Sequence, residues 1–327
     1  MSEEFGAPTF PLESCARVAV TNEATGEPVI GAEDFALDVA GERIVLSAYD
    51  RLAVERSVRR RDDKIPEGGL YVVSTGALVA ALASSESSAT TPKKISVRPI
   101  FRDGEMTHGL RPHGLTIDKA TGDVVFINHA YLKDGTRWRR RATLERASLD
   151  GAIVMGAGAQ THCAANNLVT NDFGVLTSFD HAHCGWRSLI DDALPFKRSG
   201  VAASAGTPVF AGARFANGVA NLPEGRVALA DTRGHSIFVL DAAMKEVRKS
   251  FDMPGGPDNL TLNHLGALVA ALHPSTWRIA LYRKLNIGLA PSRVVALDPK
   301  TGETTLLFED KEGAVIAGAT VALQTAE

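Results

Sequence analysis

The sequence predicts an all-β fold, specifically a six-bladed β-propeller with calcium held in its central tunnel. Three observations lead there. Long amphipathic helical stretches are scarce. Short alternating or apolar runs recur after turns rich in Gly, Asp or Asn. A recognisable segment also returns at intervals the length of a four-stranded blade.

The turns come first. Arg43–Ala48 follows Gly41-Glu42, Val124–Ile127 follows Thr121-Gly122-Asp123, and Val175–Phe179 follows Asp172-Phe173-Gly174. Arg226–Ala230 follows Pro223-Glu224-Gly225, and Ala267–Leu272 follows His264-Leu265-Gly266. Glycine supplies a positive φ, and Asp or Asn bonds the local backbone, so each turn predicts a hairpin.

Upstream of each turn lies a second element, with small or polar residues leading into a short apolar alternation. These segments are Gly31–Asp38, Arg111–Asp118, Ala165–Val169, Phe215–Val219 and Pro257–Leu262, with Ala317–Ala322 as a sixth. Taking Asp34, His113, Asn166, Asn217, Asn259 and Thr320 as markers, the intervals are 79, 53, 51, 42 and 61 residues. Six repeats fill residues 1–327 as one domain, with the N- and C-terminal strands expected to close one blade. Only Ser84–Thr91 is Ser/Thr-rich, and a surface loop accounts for it.

Composition narrows the class. Of 327 residues 45 % are hydrophobic, enough for a large core, and 22 % are charged with a net charge of −3. That balance argues against nucleic acid or an anionic membrane as partner. The clusters Arg59–Arg61 and Arg139–Arg141 are the local exceptions, each read as a solvated loop or strand edge. The acidic start Met1-Ser2-Glu3-Glu4-Phe5 is not a secretory signal, and no run reaches the roughly 18 apolar residues of a membrane span. Cys15, Cys163 and Cys184 show no zinc spacing. The expectation is a cytoplasmic protein with free, mostly buried thiols.

The repeats also make a functional statement. If each begins the innermost strand of a blade, Glu33, Asp34, His113, Asn166, Asn167, Asn217, Asp258 and Asn259 converge on one end of the tunnel. A lone Asn or Asp before a strand is ordinarily a turn residue; recurrence in five repeats favours convergence. Three carboxylates and four amides without a basic partner repel one another and cost much to desolvate unless a cation joins them. Oxygen donors in that number suit Ca²⁺ better than Zn²⁺.

Glu33-Asp34 after a glycine, Pro112-His113-Gly114, Asn128-His129, Phe215-Ala216-Asn217-Gly218 and Asp258-Asn259, in this order, resemble the paraoxonase/arylesterase family. Its members are calcium-dependent six-bladed propellers related to the gluconolactonase group. The resemblance runs from about Cys15 to Ala322. It implies that Glu33, Asn166, Asn217, Asp258 and Asn259 ligate a catalytic calcium. It further implies that Asp34, Asn167 and the Leu115 carbonyl hold a deeper one, and that His113 and His129 form the pair that activates water. Two departures matter. Asn167 stands where the family has aspartate, so the second calcium is expected to be weak or absent. Cys15 matches one half of a family disulfide whose C-terminal partner is missing here.

The expected chemistry is hydrolysis of a small lactone or aryl ester, with calcium stabilising the oxyanion and His113 as general base oriented by His129. One alternative is a non-catalytic propeller whose calcium only staples the blades. Another is a related enzyme, either a gluconolactonase-like sugar lactonase or a strictosidine-synthase-like condensing enzyme. His181, His183 and His273 are candidates for the pocket wall, and Trp186–Phe196 has the spacing of a short helix.

Overall fold

A computed structural model of the protein describes residues 5–83, 92–101, 106, 108–153, 158–194, 196–285 and 287–325. The Ser84–Thr91 stretch lies outside them. The chain divides into two compact units, Ala16–Cys163 and Ala164–Glu327 with Met1–Cys15.

The first unit holds two sheets. One contains β1 (Val18–Asn22), β2 (Ala32–Leu37), β3 (Arg43–Ala48), β4 (Gly69–Ser74) and β5 (Lys93–Pro99). Its order is β1-β5-β4-β3-β2, antiparallel except that β1 runs parallel to β5. The other is an antiparallel meander of β6 (Pro112–Ile117), β7 (Val124–Asp134), β8 (Arg137–Ala147) and β9 (Ala159–Gln160). Val45, Leu70, Leu115, Val124 and Phe126 form the core they share. Helix α1 (Arg51–Arg60) starts where Asp50 accepts from the Ala53 amide and stops at Arg61 in the left-handed region; α2 (Thr75–Ala83) follows β4.

The second unit holds three four-stranded meanders. They are β10 (Ala165–Asn171) to β13 (Pro208–Ala213), β14 (Ala216–Asn221) to β17 (Val247–Asp252), and β18 (Gly256–Leu262) to β21 (Thr304–Asp310). Within them β11 is Gly174–Phe179, β15 Val227–Asp231 and β19 Leu268–His273. The expected Trp186–Phe196 helix is a 3-10 turn, Gly185–Arg187, followed by α3 (Ser188–Ala193); α4 (Thr276–Leu285) follows β19.

All ten strands expected from the hairpin pattern form. Their turns are built as anticipated: Asp38 accepts from the amides of Glu42 and Arg43, and Asn263 from those of Leu265 and Ala267. In the β10–β13 and β14–β17 meanders the first strand is nearly all buried and the last is largely exposed, the gradient of a propeller blade. The first strands β10, β14 and β18 lie side by side in one unit, as do β2 and β6 in the other.

The all-β propeller class therefore holds, but with five blade sheets among the described residues rather than six. The sixth expected repeat, Ala317–Ala322, is not a strand. It runs along β18, where Asn259 N donates to the Thr320 carbonyl and Thr261 Oγ1 to that of Ala322. At the other edge of the same sheet Thr9 and Phe10 donate to Leu306 and Leu307. Both terminal segments thus flank the β18–β21 sheet instead of founding another blade.

The thiol expectation is also corrected. Cys15 is free and exposed, but Cys163 and Cys184 are each disulfide-bonded, which removes the support for a reducing compartment. No described helix is long and apolar enough to cross a membrane.

Candidate active site

Every first hairpin breaks register at the same point. The shifts fall between Ala32 and Asp34, Pro112 and Leu115, Ala165 and Leu168, Ala216 and Val219, and Pro257 and Leu260. They straddle Glu33, His113, Asn166-Asn167, Asn217 and Asp258-Asn259. A bulge re-aims side chains that strict alternation would send to opposite faces. All of these residues are buried.

In the Ala16–Cys163 unit, the bulges of β2 and β6 bring Glu33 and His113 together. Glu33 Oε2 lies 3.7 Å from His113 Nδ1, and its other oxygen lies 3.8 Å from Arg51 Nη1 at the start of α1. The rings of His113 and His129, on β6 and β7, stand 4.6 Å apart and tilted by 35°. Tyr49, just past β3, places its hydroxyl 3.2 Å from His129 Nδ1. Burial, the largest influence, pushes the Tyr49 phenol well above its usual range, with Glu33 adding to the rise and Arg51 opposing it. The phenol stays protonated and can donate to Nδ1. Ser47 Oγ donates to the His113 carbonyl at 2.5 Å and fixes that backbone.

Asp34 and Leu115 also meet, although through the Leu115 amide: it donates to Asp34 Oδ2 at 2.9 Å while Phe35 N donates to Oδ1. The resemblance had implied the Leu115 carbonyl.

In the second unit, Asn167 and Asn259 are 92 residues apart yet joined by Nδ2–H···Oδ1 at 2.9 Å, and Asn167 Oδ1 accepts from Leu168 N. Asn217 stands on β14, between β10 and β18. Its Oδ1 is buried and has no hydrogen-bond partner among the described residues. Gly218 permits the close packing of β14 on β18, since a Cβ there would meet Asp258 O at 2.5 Å and Leu260 N at 2.5 Å. Asp258 Oδ2 pairs with His273 Nε2 at 2.7 Å. Asn166 Nδ2 donates to Asp180 Oδ2 at 3.4 Å, and the other oxygen of Asp180 meets His181 Nδ1 at 2.6 Å.

The expectation that the carboxylates lack basic partners is therefore overturned: Glu33 has Arg51 and His113, and Asp258 has His273. Tyr49 and Arg51 were missed because each follows a strand in no repeated position. His273 ends a second strand and carried a weak signal.

Calcium, implied by the resemblance, can be tested against these donors. Among the described residues no three His, Cys, Asp or Glu side chains gather as a metal site would require. The unpartnered Asn217 oxygen beside Asp258 and Asn259 nevertheless fits a hard, oxygen-seeking cation. A single carboxylate in that set limits the charge available to hold it.

No family model matches the chain, and no curated protein matches it. Among solved structures it is similar to a protein of unknown function from Bacteroides caccae, with 12 % identity over 92 % of this chain and 91 % of that one and a TM-score of 0.51. It is also similar to a gluconolactonase from Xanthomonas campestris, with 15 % identity over 98 % and 91 % and a TM-score of 0.49. A putative gluconolactonase gives 15 % identity over 85 % and 77 % with a TM-score of 0.43. The Bacteroides structure carries the likeness in fold.

Proposed function

We propose that the protein is a calcium-dependent hydrolase of lactones and aryl esters in which His113 activates water. The observation that carries this reading is the buried His113–His129 pair, with Glu33 at one ring and Tyr49 at the other. Paired imidazoles backed by a carboxylate and a phenol have an obvious use in moving protons and little use in packing.

Glu33, 3.7 Å from Nδ1, stabilises by its charge the imidazolium formed when Nε2 takes a proton. Water then attacks the acyl carbon as its proton passes to His113. On collapse the C–O bond to the leaving alkoxide breaks, and that oxygen recovers the proton from His113. Tyr49 and His129 hold the proton inventory beside this ring. A bound calcium ion supplies an electrophile for the carbonyl oxygen. Asn217, Asp258 and Asn259 would hold it, with Asn166 as a further ligand from the same unit.

The test is a hydrolysis screen of γ- and δ-lactones, sugar lactones, acyl-homoserine lactones and phenyl acetate. Turnover of at least one class should disappear in chelator and return with Ca²⁺ more fully than with Zn²⁺. Absence of hydrolysis by the calcium-supplemented protein would overturn the reading and favour a non-catalytic module.

A further inference from the structure

Two arginine-rich stretches that lie far apart in sequence, Arg51–Lys64 and Lys133–Arg141, are neighbours in the Ala16–Cys163 unit. Trp138 Nε1 donates to the Asp62 carbonyl at 2.8 Å, and Lys133 Nζ meets Asp63 Oδ1 at 2.8 Å. Trp138 and Tyr131 of the β7–β8 hairpin share an apolar cluster with Val54, Val58 and Ile65, which holds the hairpin against the end of α1. The chain carries 35 Lys and Arg against 38 Asp and Glu, but these two stretches carry eleven against four. The excess of positive charge is local.

Charge of one sign at this density repels itself unless something offsets it. The four carboxylates are already engaged. Glu55 lies 3.8 Å from Arg51, while Asp62, Asp63 and Asp134 lie 3.0, 2.8 and 2.8 Å from Arg60, Lys133 and Arg139. On α1, Val54 and Ser57 face inward, so Arg56 and Arg59 stand on the solvent side. Arg61 and Lys64 just beyond the helix, and Arg137 at the hairpin tip, are exposed as well. None of these five cations meets a carboxylate among the described residues.

We propose that this surface docks an acidic segment of a partner protein. Nine of the eleven cations are arginine. Protein interfaces enrich arginine and deplete lysine, and the guanidinium fork meets a carboxylate bidentately. A lipid surface fits less well, because among the described residues neither stretch exposes a large apolar side chain to enter it. A nucleic-acid backbone also fits less well. Asp63 and Asp134 stand out amid the arginines, their side chains 97 % and 62 % exposed, where they would repel phosphates. Against a protein of mixed charge the same two carboxylates help to fix the register. The claim does not depend on the hydrolase reading.

Fluorescence anisotropy of a labelled peptide of alternating glutamate and serine, titrated with the full chain, tests it. Duplex DNA and phosphatidylserine vesicles are the comparison probes. The peptide should bind saturably, and more weakly as salt rises, because exposed charges are screened. Single surface ion pairs are weak, so three positions are changed together. Affinity should fall about tenfold or more in the triple variant Arg56→Gln, Arg59→Gln, Arg137→Gln. It should stay near the parent's in Lys245→Gln, Arg248→Gln, Lys249→Gln, which removes the same charge from the other unit. Far-ultraviolet circular dichroism checks that both variants are folded. No saturable peptide binding, equal losses in the two triple variants, or tighter binding of DNA or vesicles than of the peptide would each overturn the assignment.

Discussion

Tyr49 illustrates what one side chain adds to the candidate site. Its hydroxyl is 3.2 Å from His129 Nδ1, and burial keeps it protonated across the working pH range. Tyr49→Phe removes this one hydrogen bond and keeps the ring. Loss of a bond of this kind costs about 1 kcal/mol, so kcat/KM for a lactone should drop about fivefold to tenfold with the fold intact. Unchanged kcat/KM in that variant would remove Tyr49 from the proton pathway. His113 and the consecutive Asn and Asp residues were legible in the sequence because the repeat placed them, whereas His129 was reached only through the family resemblance. Tyr49 and Arg51 were not, because a residue that supports a site from outside the repeat leaves no periodic trace.

At the scale of the element, the recurring bulge accounts for consecutive polar residues such as Asn166-Asn167 and Asp258-Asn259. The sequence showed the pairs, but simple alternation would have separated them. Gly218 sits at one such bulge, where any Cβ meets β18 backbone that cannot swing away. Gly218→Ala should therefore destabilise the protein by roughly 1–3 kcal/mol, measured by urea unfolding. A variant as stable as the parent would show that β14 and β18 are free to separate. Asp310 governs the segment after β21. Burial alone would raise its carboxyl, but backbone amides from Gly313 to Ile316 outweigh that and hold it below the usual range. With the folded value depressed, the contribution is present above the ordinary carboxylate range and is lost as pH falls through the folded value. Between pH 6 and pH 3 the parent should lose more stability than Asp310→Asn. At pH 6 the variant should be weaker by about 1.5–3 kcal/mol, the scale of charged hydrogen bonds. Equal stability of the two proteins at pH 6 would contradict this role.

For the molecule as a whole, strand positions were the most legible feature, since turn chemistry and alternation are local. Blade number was not, because Ala317–Ala322 copies the small and apolar pattern of a first strand. Instead of pairing with a following strand it runs along β18, bonded through the Thr320 and Ala322 carbonyls. The disulfide state of Cys163 and Cys184 was hidden because each follows a histidine with no partner spacing to read. The central claim is that this five-sheet chain uses His113 as a general base, and His113→Gln tests it most directly. The substitution removes the base and leaves the proposed oxygen donors Asn217, Asp258 and Asn259 in place. On an aliphatic lactone with a poor leaving group, kcat/KM should fall by roughly 10²–10⁴-fold, with calcium content and melting temperature near those of the parent. Full lactonase activity in His113→Gln would contradict the account.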